Sequence, residues 1–291
     1  MSYRIVKSDR TVADAVRRIA LEQVNGAETL LISADRTGPT SIHGLRKHIK
    51  RLRGLIRLVR PGFSQFTAEN TRLRDLGRSL ADLRDSDVLL MTLDGLSTSD
   101  NDFPHLRKAL VTSAGTLRDP AATARGLDNA ETGFRSLRQR VTDWKIERRG
   151  FETAAKGLKR SHEAAQKTLE NARKDPSDEQ IHDWRKRVKD THYQMALLEH
   201  LWPEAMTPRI SATDELGEML GVHHDLSVLI SRLGRLGVPE AEVSAVTAVA
   251  RSRQDQIMAK ALPLGARLYA GDARAMADLW AQWWQIWKDQ N

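Results

Sequence analysis

The 291-residue sequence predicts an all-α fold made of two tandem, pseudo-symmetric four-helix bundles. Three observations carry that expectation. Apolar residues recur at three- and four-residue spacings, as in Val12, Val16, Ile19 and in Ile42, Leu45, Ile49, Leu52, Ile56, Val59, while alternating strand-like runs are missing. Turn signals at Gly38-Pro39, Pro61-Gly62, Asp119-Pro120, Asp175-Pro176, Pro203, Pro208, Gly237 to Pro239 and Pro263 cut the chain into segments suited to helices of roughly 15 to 30 residues. Finally, the chain repeats itself. Ile42-His43-x-Leu45-Arg46-Lys47-x-Ile49-Lys50 returns after 139 residues as Ile181-His182-x-Trp184-Arg185-Lys186-x-Val188-Lys189. Leu76-Gly77-x-x-Leu80 with Arg84-Asp85-x-x-Val88-Leu89 returns after 140 residues as Leu216-Gly217-x-x-Leu220 with His224-Asp225-x-x-Val228-Leu229. Two motifs in the same order at nearly the same offset divide the chain into helical halves, 1–145 and 146–291, which together make one domain.

Taken in chain order, the first helix is read from Val12, Val16 and Ile19. The segment 41–60 follows, with seven Lys or Arg and no acid. On a helix, His43, Arg46, Lys47, Lys50, Arg53 and Arg57 fall within an arc of roughly 120°, opposite the apolar stripe. Solvated helices normally interleave acids, so stacked like charges carry a cost that a bound polyanion would relieve. A single run of this kind is usually just a solvated face; its return at His182, Arg185, Lys186 and Lys189 favours anion binding. Asp85 and Asp225 each stand alone beside a base, Arg84 or His224, and read as partners that orient nearby arginines. Trp280, Trp283, Trp284 and Trp287 form one face of a final helix that docks into the core.

Composition excludes several classes. With no cysteine there is no disulfide framework, thiolate zinc site, iron–sulfur cluster or cysteine nucleophile. A hydrophobic content of 40% argues against disorder despite 29% charged residues. The net charge of +8 points toward a polyanionic partner. The N-terminus is charged throughout and no 18-residue apolar window occurs, so a soluble, cytoplasmic protein without membrane partners is expected.

The repeated motifs resemble those of the CHAD family, the conserved histidine α-helical domain. His43, Leu45, Arg46, Lys50, Arg51, Leu52 and Arg53 match its first-half pattern; His182, Trp184, Arg185, Lys186, Val188, Lys189, Tyr193 and Leu197, ending at Leu201-Trp202-Pro203, match its second. Leu76-Gly77 to Asp85 and Leu216-Gly217 to Asp225 are similar to its L-G-x-x-x-D-x-x-V segments. The chain departs from the family where His162 replaces a usual tyrosine and Glu163 follows. It also lacks the E-x-E-x-K strand of the triphosphate tunnel domain often fused to members. The resemblance implies paired four-helix bundles around a basic groove or pore that binds inorganic polyphosphate, sometimes at polyphosphate granules.

The candidate site is therefore His43, Arg46, Lys47, Lys50, Arg51, Arg53, His182, Arg185, Lys186 and Lys189, with Arg57, Arg78, Lys156, Arg160 and His192 in second rank. Arg grips phosphate oxygens in pairs and Lys supplies a point charge. His43 and His182, near helix starts, are expected to gain from free backbone N–H groups and to add charge when protonated. Histidine spacings do not share one helix face, so no metal is expected; no cofactor is expected either. No phosphate loop or nucleophile–base motif occurs, so the expected function is non-catalytic. Two rivals remain, a nucleic-acid binder and a metal-dependent phosphate-processing enzyme. The oligomeric state is left open.

Overall fold

The computed structural model describes residues 3–80, 85–97, 102–117, 120–147 and 150–290, with side chains at all of these but 85–87 and 114–117. The protein is 81% helical, and among the described residues there are eleven α-helices and no strand. They are α1 (Val12–Leu31), α2 (Pro39–Leu58), α3 (Phe66–Ser79), α4 (Asp85–Asp94), α5 (Pro104–Leu117), α6 (Pro120–Val141), α7 (Glu152–Lys174), α8 (Asp178–Leu197), α9 (Pro203–Leu233), α10 (Glu240–Leu268) and α11 (Ala273–Asp289). Arg84 and the Asp85 side chain lie outside the described residues.

Local chemistry sets the helix ends. Thr11 caps α1 by accepting from Asp14 N at 3.1 Å, and Asp272 caps α11 by accepting from Ala275 N at 2.7 Å. Pro39 and Pro203 occupy first-turn positions, where a missing N–H costs nothing. Pro208 and Pro263 were expected to break helices but lie inside α9 and α10. Both are exposed, so water can satisfy the carbonyl that each proline leaves without an N–H.

Helices α1, α2, α3 and α6 pack around one another, and α7, α8, α9 and α10 do the same. Helix α1 approaches its neighbours closely because its inner face is small and aliphatic, with Ala13, Ala15, Val16, Ile19 and Ala20 all fully buried. The other group is centred on Trp184, fully buried against Gly265. Truncating that ring to alanine would cost about 3–5 kcal/mol. The two groups share material: Trp280, Trp284 and Trp287 of α11 join the α1–α6 core, with Trp283 partly buried beside them, while α4 and α5 pack on α9 and α10.

The helices carrying the duplicated motif, α2 and α8, pack directly against each other. Gly54 of α2 lies under Tyr193 of α8, Tyr3 Oη donates to Arg51 O at 2.7 Å, and Arg57 pairs with buried Asp190, which Arg187 also contacts at 3.1 Å. Residues 7–9 also meet residues 288–290. Lys7 Nζ donates to Gln290 O at 2.6 Å, and Lys288 Nζ donates to Asp9 O at 2.6 Å and Lys7 O at 3.1 Å.

Candidate functional site

A cavity of about 980 Å³ opens between α2, α8 and α9. From α2 it is lined by His43, Lys47, Lys50 and Arg51, and from α8 by Arg185, Lys189, His192 and Tyr193. Tyr3 and Arg4 complete the basic side, whereas α9 contributes Asp214, Glu218 and Asp225. Residues 139 positions apart in sequence thus meet in one space because α2 and α8 touch.

The two walls differ. On α2, His43, Lys47 and Lys50 are exposed, and the Arg51 guanidinium rests 5.3 Å from the centre of the Tyr3 ring. On α8, Arg185 is half-buried over Gly221, with its Nε buried and without a hydrogen-bond partner. Lys189 donates to Glu218 Oε1 at 2.7 Å and approaches Asp214 Oδ1 at 3.4 Å. His192 Nε2 lies 3.7 Å from the same Asp214 oxygen. Burial holds the His192 pKa below its ordinary value, so the ring is a neutral hydrogen-bonding group near pH 7.

Other expected site residues stand elsewhere. The single cationic face expected on α2 is divided, since Arg53 and Arg57 do not line the cavity. Arg53 Nε donates to Asn70 Oδ1 of α3 at 3.3 Å, and burial together with Arg57 lowers its pKa to about 10. Arg57 is committed to Asp190. Arg46, two turns before Arg53 on the same side of α2, is half-buried and outside the lining. Lys186 is paired with Asp183, Arg78 lies 3.8 Å from Asp75, and Lys156 pairs with Glu152 at 2.6 Å. Arg160 is exposed on α7, where its charge acts on Arg60. None of these four reaches the cavity.

His182 is also outside it, its ring tilted by 30° against that of His224 with centroids 4.1 Å apart. Burial, then the neighbouring Lys186 and Arg185, lower the His182 pKa; burial and His182 lower that of His224 to about 4. His182 therefore adds no charge near neutrality. Nor do the two motif histidines gain free helix-end N–H groups. Ile42 N already donates to Gly38 O at 3.1 Å, and Ile181 N to Ser177 O at 3.0 Å, so helical bonding has begun one residue earlier.

Sequence reasoning missed Tyr3, Arg4 and the acids Asp214 and Glu218. Those acids were readable: positions 214, 218, 221 and 225 share one helical face. Asp225 lines the same cavity as Arg185. Among the described residues, no group of three or more His, Cys, Asp or Glu could hold a metal ion. No described helix is long and apolar enough to cross a membrane.

Comparison with known proteins follows the same lines. The CHAD domain family model matches residues 15–234. The crystal structure of the CHAD domain from the plant Ricinus communis is similar with a TM-score of 0.68 at 21% identity, covering 94% of this chain and 98% of that one. PptA from Streptomyces chartreusis is similar with a TM-score of 0.57 at 15% identity, covering 92% and 99%. At such identities these likenesses concern the fold. Among curated proteins, no sequence matches. With its motifs, helical architecture and family match in agreement over residues 15–234, the chain belongs to the CHAD domain family, a family linked to polyphosphate binding.

Proposed function

We propose that the protein binds inorganic polyphosphate, without catalysing its turnover, in the cavity between α2, α8 and α9. One observation carries the reading: His43, Lys47, Lys50 and Arg51 converge with Arg185, Lys189 and His192 on a single space of about 980 Å³. Polyphosphate has roughly one negative charge per phosphate and no bases, so it needs dense cations and N–H donors rather than stacking platforms. Tyr3 is buried, with Arg51 over one face of its ring and Tyr193 in an edge contact, which leaves that ring unavailable to a nucleobase. The non-catalytic reading is supported by the sequence, in which no phosphate loop or nucleophile–base motif occurs. Association with polyphosphate granules in the cytoplasm follows from the same reading.

Titration with polyphosphates of defined length, at two salt concentrations and against a DNA control, tests the proposal. Binding should weaken steeply with salt and DNA should compete poorly. DNA that long polyphosphate cannot displace at moderate salt would make the protein a nucleic-acid binder. Release of orthophosphate, lost on changing Asp85 or Asp225, would make it an enzyme.

A further inference from the structure

Lys189 is one of the motif cations, yet the structure does not present it as Lys47 is presented. Gly217 and Gly221 stand one turn apart on α9, beneath Lys189 and Arg185, which are one turn apart on α8. A Cβ on Gly217 would lie 2.8 Å from Lys189 Cε and 2.9 Å from its Nζ, so the lysine tail rests along bare helix backbone. In that berth its side chain is only 19% exposed, held by Asp214 and Glu218, whose own side chains are 51% and 73% exposed.

The duplication shows that this arrangement belongs to one half only. At the 140-residue offset that aligns Leu76-Gly77 with Leu216-Gly217, Asp214 corresponds to Arg74 and Glu218 to Arg78. The charges are inverted at both positions. The repeat that supplies Lys50 therefore has bases where the repeat that supplies Lys189 has acids.

We propose that Asp214 and Glu218 set the affinity and specificity of the site by clamping Lys189 in ion pairs at the cavity wall, so that only a densely charged polyanion recruits it. This rests on the polyphosphate reading above. An incoming chain meets the α2 wall first. It gains Lys189 only by displacing two carboxylates, which also repel any anion near α9. Sparse anions and nucleic acids, with their wider phosphate spacing, offer less to exchange for that displacement. The acids thus lower affinity for every anion and lower it most for the wrong ones.

The clamp and the ligand can be tested separately on the full chain. Lysine acetylation followed by mass spectrometry reports the free protein. Lys189 should react more slowly than Lys47 in the wild type and approach its rate in D214N/E218Q. The variant G217A, which fills the berth, should also accelerate it. Equal rates for Lys189 and Lys47 in the wild type would overturn the clamp. In polyphosphate titrations, D214N/E218Q should bind on the order of tenfold tighter, the scale of one added charge-assisted contact, with a steeper salt dependence. Its gain for single-stranded DNA should be larger still, and adding K189Q should remove most of both gains. Unchanged or weaker polyphosphate binding by D214N/E218Q, with a wild type that binds, would overturn the affinity role, and a gain for single-stranded DNA no larger than that for polyphosphate would overturn the specificity role. Failure of polyphosphate to protect Lys47 and Lys50 from acetylation would instead count against the binding reading, and the specificity role with it, while Lys189 labelling still decides the clamp.

Discussion

Gly54 of α2 meets Tyr193 of α8 so closely that a Cβ on the glycine would stand 2.6 Å from the tyrosine Cβ. That contact brings the two copies of the basic motif to the rim of one cavity. Gly54→Val must push the helices apart. Overpacking of this kind costs about 1–3 kcal/mol, so the melting temperature should fall and polyphosphate affinity should fall with it. Thermal unfolding and titration of the same sample check both; a variant with wild-type affinity would show that the helix contact does not set the cavity.

Asp190 is buried between Arg57 and Arg187. Asp190→Ala leaves both guanidiniums without their carboxylate and should destabilise the fold by about 3–5 kcal/mol, read as a lower urea midpoint at unchanged slope. Replacing Arg187 as well should restore part of the loss, because one unpaired charge is then removed.

Lys47 and Lys50 are exposed cavity residues. The double reversal Lys47→Glu and Lys50→Glu should alter stability by less than about 0.5 kcal/mol. Affinity for polyphosphate should drop by on the order of a hundredfold, since two charge-assisted contacts become repulsions. Circular dichroism melts and calorimetric titration separate these effects.

Acid should destabilise the protein through histidines that fold in neutral form. Burial, followed by nearby Arg51 and Lys47, lowers the pKa of His48 to about 4, and that of His224 is likewise about 4. A folded pKa below the unfolded value of 6.5 means that the unfolded chain binds protons the folded one refuses. Their contribution is complete above pH 6.5 and is lost as the pH falls toward 4. Each half-buried ring contributes about 1–2 kcal/mol after allowance for solvent screening. Urea unfolding at pH 7 and pH 5 should show the loss, and His48→Gln should reduce it.

The features that were legible in the sequence are those encoded locally. Apolar spacing reports helices because a helix buries one stripe, and the repeat at His43 and His182 reports duplication without reference to packing. What escaped depends on neighbours distant in sequence. The α2 cations were read as one face, but contact with α8 gives that helix two environments. Lys47 faces the cavity while Arg57 finds Asp190, 133 residues later. Lys189 looked equivalent to Lys50 until α9 placed Asp214 and Glu218 beside it. His182 was expected to add charge when protonated, yet burial, a property of the assembled fold, keeps it neutral near pH 7. Pro208 and Pro263 stay within helices because their exposed positions let water replace the missing hydrogen bonds.

The ties between the segment before α1 and the end of α11 run from the tails of Lys7 and Lys288 to backbone carbonyls of Gln290, Asp9 and Lys7, so that seam depends on two side chains and otherwise on main chain alone.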